Sequence, residues 1–182
     1  MDFDVAFYIA QAISIINTGI AMFSAQMKNM KAILFTQILA NVIAAATCLL
    51  LGGLSGVGVS IIAVIQTVVM YFYNANGKKP NVAVTAVFIL AYVLNAVFTF
   101  STAFDVFPAI AAVCFALAVA QTKPMAYRFF SIWNPLSWLV YDIYIGAYVN
   151  IIMHVGIFVS IIIACFRLDG FFGLIKKETT KN

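Results

Sequence analysis

The chain has 182 residues, 65% of them hydrophobic and 9% charged, with a net charge of +4 and a mean hydropathy of +1.07. A soluble domain keeps about a quarter of its residues charged. This composition excludes one and points to a polytopic membrane protein, in which lipid replaces water around most of the surface.

Seven apolar runs are predicted to cross the bilayer: 5–24, 32–51, 54–73, 82–101, 106–122, 129–148 and 149–166. The start, Met1-Asp2-Phe3-Asp4, is acidic where a cleavable signal peptide would be basic, so insertion is expected to rely on the first run. A span needs about 20 residues at a rise of about 1.5 Å each. The fifth and seventh runs are shorter and are expected to borrow from their flanks. Asp105 is expected to N-cap the fifth, with Pro108 in its first turn, where a missing N–H costs little.

The ten basic residues all fall in alternate connections or at the C-terminus. Lys28 and Lys31 follow the first run, Lys78 and Lys79 the third, Lys123 and Arg128 the fifth, and Arg167, Lys176, Lys177 and Lys181 the seventh. The other side carries Asp2, Asp4 and Asp105 and no Lys or Arg. Under the positive-inside rule the N-terminus faces out and the C-terminus faces the cytoplasm. The net charge is thus a topology signal, and no nucleic-acid partner is expected.

A six-residue stretch occurs twice. Ala25-Gln26-Met27-Lys28-Asn29-Met30 returns 95 positions later as Ala120-Gln121-Thr122-Lys123-Pro124-Met125, with Ala21 and Ala116 in the same register. With a one-residue slip, Gly52 aligns with Gly146 and Phe72 with Phe166. The expected organisation is a first three-helix unit (1–73), a linker and linking helix (74–101), a second unit (102–169) and a cytoplasmic tail (170–182). That is an all-α fold of seven transmembrane helices in a 3+1+3 parallel repeat. Each unit closes its outer hairpin at a glycine, Gly52 or Gly146; the spacing of Gly52 and Gly56 also fits a helix-packing motif, but the turn is the expected use. The segment from Asn74 to Pro80 is the clearest linker, and the tail around Phe171, Phe172, Leu174 and Lys176 is expected to lie along the interface.

Polar residues inside the runs carry the remaining information. The sixth run is richest: Asn134, Trp138 and Tyr141 share one helical face, with Asp142 at its margin. Pro135 removes a donor and should kink this helix near its cytoplasmic third. Asp142 is the only carboxylate in a predicted span, about 21 Å from Arg128 in a core about 30 Å thick. His154, the single histidine, falls at similar depth once a turn near Tyr148 folds the sixth and seventh runs into a hairpin. A charge at that depth costs a few kcal/mol unless paired or wetted. The two are therefore expected to be hydrogen-bonded neighbours, serving as a proton or cation relay or as a structural tie. In the first unit Gln37 and Asn41, Ser60 and Thr67, and Gln11, Ser14 and Thr18 form milder polar faces, of the kind that glues helices together. Asn41 lies one residue out of register with the equivalent of Asn134, so the two asparagines are expected at a shared midplane cavity. Cys48, Cys114 and Cys165 show no metal-ligand spacing and read as small buried hydrophobes; no metal or cofactor is expected.

On Gln26-Met27-Lys28, Gln37-Ile38-Leu39-Ala40-Asn41, Leu51-Gly52-Gly53-Leu54-Ser55-Gly56, Trp138-Leu139-Val140-Tyr141-Asp142, Gly146-Ala147-Tyr148 and Arg167-Leu168-Asp169, the chain resembles the YgjV family of bacterial inner-membrane proteins. That family is similar to the MtN3/PQ-loop group, which includes the SWEET sugar transporters and PnuC-type vitamin transporters. The resemblance implies the same seven-helix parallel repeat, N-terminus out, in a multi-pass inner-membrane protein. The chain departs from the SWEET pattern. Only Pro108 and Pro135 correspond to its prolines, Trp138 and Asn150 are the sole counterparts of its pocket residues, and Gln66 replaces an arginine kept as Arg167 in the second unit. Sugar is not the expected substrate.

Duplicated units, a kinked helix and a polar face between halves favour a small-molecule transporter whose substrate touches Asn41, Asn134, Trp138 and Tyr141, with Asp142 and His154 as relay candidates. A non-transporting assembly or sensor protein is the alternative. With no HExxH, no GxSxG and no paired acids, an enzyme is not expected. The bilayer and an unidentified small molecule are the expected partners, and a homo-oligomer is compatible with the sequence.

Overall fold

The computed structural model describes residues 5–50, 54–146 and 148–170. The expected N-terminal acids Asp2 and Asp4, the turn at Gly52 and the tail beyond Gly170 lie outside them. The described residues form eight α-helices and one 3-10 turn, with no strand: α1 (Val5–Ala25), α2 (Met30–Leu50), α3 (Leu54–Ala75), α4 (Val82–Thr99), the turn Ala103–Asp105, α5 (Val106–Val119), α6 (Pro124–Ser131), α7 (Trp133–Ile145) and α8 (Tyr148–Leu168). Five helices, α1 to α4 and α8, are long and apolar enough to cross a membrane. The protein is an all-helical integral membrane protein.

The sixth run is not one uninterrupted helix. It begins five residues earlier than its apolar stretch, at Pro124, whose fixed φ suits a first helical position, and it breaks at Ile132. The cause is Pro135. It has no N–H for the carbonyl of Ser131, four residues back. Ile132 itself keeps helical dihedrals, φ −58° and ψ −40°, so the ladder is interrupted without a loop. Together α6, Ile132 and α7 run about 33 Å at 1.5 Å per residue, enough for a bilayer core.

Helix ends follow from local chemistry. Gly77 and Gly146 adopt φ of +67° and +70°, the left-handed conformation that stops α3 and α7 at little cost only for glycine. Asn81 caps α4 by accepting the N–H of Ala83 at 3.0 Å. Asp105 does not cap α5 forward. Its carboxylate turns back to the N–H groups of Thr102 (2.6 Å) and Ser101 (2.8 Å), which hold its pKa below the usual value.

Gly56 also departs from expectation. It lies inside α3, not in the turn, and a β-carbon there would sit 2.7 Å from Cys48 Sγ of α2. Close packing of α2 on α3 favours the glycine, because a side chain there would push the Cys48 thiol aside. The helices pack α1 on α2 and α2 on α3 in the first half, and α5 on α7 and α7 on α8 in the second; α1 meets α8, α3 meets α5, and α4 bridges α3 and α5.

The residue distribution is that of a lipid-embedded bundle. Large apolar side chains such as Ile15, Phe72, Val87, Phe98, Phe129 and Ile152 are exposed, whereas Ala10, Ala63, Ala111, Ala116 and Ala164 are buried with Ser24, Gln66, Thr67 and Asp142. Small residues let helices approach closely, and polar ones bond across them. The main apolar core joins Met30, Ile33 and Leu34 of α2, Met70 of α3, Ala118 and Val119 of α5 and Tyr127 of α6. It seals the end of the bundle that carries both copies of the repeated stretch.

Candidate functional site

Next to that seal lies a cavity of about 240 Å³. Its wall comes from both halves and from α4: Asn17 and Ala21 on α1, Gln37, Asn41 and Ala44 on α2, Ser60 and Ala63 on α3, Tyr92 on α4, Phe115 on α5, and Asn134 and Trp138 on α7. Three of the four substrate-contact residues expected from sequence are brought together here. Asn41 donates to the carbonyl of Gln37 within α2 at 2.8 Å, and Asn134 donates across to Ala111 of α5 at 2.9 Å. The fourth, Tyr141, is not part of the wall. One turn beyond Trp138, it packs edge-on against the indole, with ring centroids 6.0 Å apart at 78°. Asn150 lies exposed in the first turn of α8, away from the cavity.

Two cavity residues carry no expectation from sequence. Asn17 and Tyr92 line the wall, and the Asn17 Oδ1 and the Tyr92 hydroxyl are buried with no protein partner among the described residues. Leaving such groups unpaired costs about 1–3 kcal/mol each. The available signal was simply a polar atom in an apolar run. For Tyr92 it was hidden because nothing in the repeat says how the linking helix is rotated.

Asp142 and His154 are neighbours as expected, with His154 Nδ1 2.7 Å from Asp142 Oδ2; the Asp side chain is 2% exposed and the His 21%. Trp138 stacks on His154, with centroids 5.9 Å apart and planes within 6°. One indole thus forms part of the cavity wall on one side and meets the acid–imidazole pair on the other. Tyr144 stacks on Phe104 at 3.8 Å, closing that end of α7 onto the 3-10 turn.

At the sealed end, Arg128 is not the loop charge its sequence position suggests. It is 1% exposed. Its Nε donates to the Ala25 carbonyl at 2.8 Å, one terminal nitrogen to the Met27 carbonyl, and the other to Asp169 Oδ1 at 2.5 Å. The guanidinium therefore caps the C-terminus of α1 and ties it to the end of α8. Gln26 adds a second tie: its Nε2 donates to the carbonyl and hydroxyl of Ser160 at 2.7 and 3.0 Å, and its Oε1 accepts from Arg167 at 2.9 Å. Gln66, where the resemblance led to an arginine, is fully buried and donates to the Ala116 carbonyl at 3.1 Å. No group of three or more His, Cys, Asp or Glu side chains able to hold a metal occurs among the described residues.

Apolar helices of membrane length, large apolar side chains on the outside, and a cavity between helix groups that carries a few polar groups define a multi-pass integral membrane protein. Comparison with known families places it further: the chain belongs to the Imp-YgjV family of bacterial inner membrane proteins, matched over residues 8–170. Its location is the bacterial inner membrane. No curated protein and no solved structure matches the chain.

Proposed function

We propose that this protein is a small-molecule transporter built as two three-helix units around a midplane cavity, in a seven-span architecture like that of the MtN3/PQ-loop group. The observation that carries the proposal is the cavity itself. Both halves and the linking helix wall it, and its lining includes two buried polar atoms, on Asn17 and Tyr92, with no partner among the described residues. A polar ligand there would supply the missing bonds, and ligand pockets combine mostly apolar walls with a few such groups.

Duplication is supported by paired contacts. Helix α1 meets α8 as α5 meets α3, the exchange expected when one trio is rotated onto the other. Ser160 of α8 donates to the carbonyl of Met22 on α1, while Gln66 of α3 donates to that of Ala116 on α5. Ser160 aligns with Gln66 at the 94-residue offset, and Met22 falls one position from the counterpart of Ala116. The two copies of the repeated stretch lie at one end, where Arg128 holds the carbonyls of Ala25 and Met27. Basic residues gather in the connections at that end, which is therefore cytoplasmic on this reading, with the N-terminus outside. Two similar bundles about a midplane site are what alternating access by rocking requires. On this reading the chain is a transporter rather than an enzyme.

The test is uptake by the purified protein in liposomes against a panel of radiolabelled sugars, vitamins and amino acids, with Ala44→Phe as a cavity-filling control. Saturable uptake lost in a well-folded Ala44→Phe variant is the expected result. Absence of uptake or exchange of every panel member, with no panel member raising the melting temperature, overturns the reading and favours a non-transporting membrane protein.

A further inference from the structure

Asp142 is a carboxylate buried in the membrane-embedded part of the bundle, and its described partner is an imidazole. A neutral imidazole donates Nδ1–H to the carboxylate and leaves Nε2 as a proton acceptor. The pair therefore has two states that differ by one proton, with net charge −1 or 0. In a lipid-flanked interior such a difference is not incidental. The histidine is the less enclosed member, 21% exposed against 2% for the carboxylate, and its Nε2 is the position a proton can take without parting the pair.

The surroundings bring few ionisable groups to this pair. On α7, Tyr141 packs edge-on against Trp138, and Tyr144 is stacked on Phe104. Of the elements packed against α7 and α8, α1 carries Tyr8 and α5 carries Cys114, neither helix having a charged residue. The 3-10 turn carries Asp105, whose carboxylate is engaged by Ser101 and Thr102 and also faces Tyr141, the neighbour of Asp142. On α6, Arg128 is committed to Asp169 at the opposite end of α8, near Arg167. Tyr148 begins α8 and is exposed. No lysine or arginine in these elements faces the pair.

What sets the pair apart from a mere helix tie is Trp138. A cation within about 6 Å of an indole face is attracted by its quadrupole, and a neutral ring lacks this attraction. The imidazole lies at 5.9 Å, parallel to the indole, and the same indole lines the cavity. We propose that Asp142 and His154 form a proton-binding site whose charge state sets the hold on Trp138, and through it the shape of the cavity. By linkage, whatever binds in the cavity against Trp138 alters proton binding by the same factor that the proton alters its own binding. The proton site stands on geometry alone; its use in driving transport rests on the function proposed above.

The test uses the full chain in lipid nanodiscs. The protein has two tryptophans, so Trp133→Phe leaves Trp138 as the single indole reporter. Its emission is expected to be quenched in one step on acidification from pH 8 to pH 5. The quench is lost in His154→Gln and weakened in Asp142→Asn, in which the carboxylate that orients the imidazole is gone. Because one of these variants can fail to fold, the single histidine is also followed by 15N labelling in the untagged Trp133→Phe protein, where its ring signal titrates together with the emission. A histidine signal that stays constant from pH 5 to 8, or a quench that survives His154→Gln, overturns the proposal. A titration that behaves as expected beside uptake indifferent to a pH gradient keeps the proton site and removes its coupling to transport. Loss of all uptake counts against the transporter reading alone.

Discussion

Arg128 offers the sharpest perturbation of the fold. Its guanidinium serves three acceptors on two other segments, Ala25 and Met27 at the end of α1 and Asp169 after α8. Arg128→Met keeps the aliphatic bulk but strands two carbonyls and a carboxylate that is 8% exposed and whose Oδ2 already lacks a partner among the described residues. Removing one member of a buried ion pair costs about 3–5 kcal/mol; the lower end applies, because Asp169 sits at a helix end close to the aqueous boundary. For a chain of this size, about 3 kcal/mol corresponds to a fall of roughly 6–12 °C in melting temperature. Arg128→Lys should fall between, since a point charge can reach Asp169 but cannot span the fork that the carbonyls occupy. Asp169→Asn combined with Arg128→Met should melt higher than Arg128→Met alone, because the stranded carboxylate is gone, with a coupling of about 1–3 kcal/mol. The assay is thermal unfolding in one detergent, followed by size-exclusion of the soluble fraction. A melt for Arg128→Met within about 1 °C of the parent, or no relief from Asp169→Asn, would refute the assignment of Arg128 as the tie between α1 and α8.

Gly56→Ala should destabilise by about 1–3 kcal/mol through overpacking against Cys48 Sγ, 2.7 Å from the new β-carbon, and Cys48→Ala in the same chain should restore most of the loss; melting temperatures of the two single variants and the double decide it. At Gly146 nothing lies within 4 Å of the point a β-carbon would occupy, so Gly146→Ala should cost only the left-handed strain, about 1–2 kcal/mol, with Gly146→Asn costing less. The Thr102 and Ser101 amides hold the Asp105 pKa below its ordinary value, so its contribution is full above the unfolded value near 3.9 and disappears as pH falls through the lower folded value. Asp105→Asn should therefore speed hydrogen exchange of the Ser101 and Thr102 amides at pH 6, and the difference from the parent should vanish in strong acid.

Much of the architecture is legible in the sequence because lipid imposes few choices. An apolar run of sufficient length becomes a helix, since no other structure satisfies its backbone in hydrocarbon. Asp142 and His154 can be paired from depth counting alone, because a hairpin near Tyr148 leaves them at one level. The break before α7 follows from Pro135, and the meeting of Asn41, Asn134 and Trp138 follows from aligning the halves. What is not legible depends on rotation and tertiary contact. Tyr92 faces the cavity only because of how α4 seats between α3 and α5. Tyr141 shares a helical face with Trp138 but lies one turn past the cavity. Arg128 reads as a surface charge until Pro124 is seen to start a helix ahead of the apolar run, which carries the guanidinium inward to partners roughly 40 and 100 positions away. Gly56 reads as part of a turn from its place beside the hairpin, and only the proximity of Cys48 reveals the packing contact.

The ordering of these groups along one rod connects them. From Arg128, the rise of 1.5 Å per residue places Asn134 about 9 Å on, Trp138 about 15 Å and Asp142 about 21 Å. The tie to α1, the cavity wall and the acid–imidazole pair therefore lie in sequence on α6 and α7, and the gap in the hydrogen-bond ladder at Ile132 falls between the first and the second. A helix interrupted at a proline bends there more readily than an intact one. On the transport reading, release of Arg128 from the carbonyls of Ala25 and Met27 would free α6 at its sealed end, while Trp138, held by His154, would keep α7 in place. The two ends of one rod would then answer to different bonds, an ion pair at the seal and a proton beyond the cavity. Neither Arg128 nor Asp169 has a charged counterpart at the repeat offset, where Ile33 of α2 and Ala75 of α3 stand. The polar switching groups are concentrated in one half, and the other half supplies mainly wall.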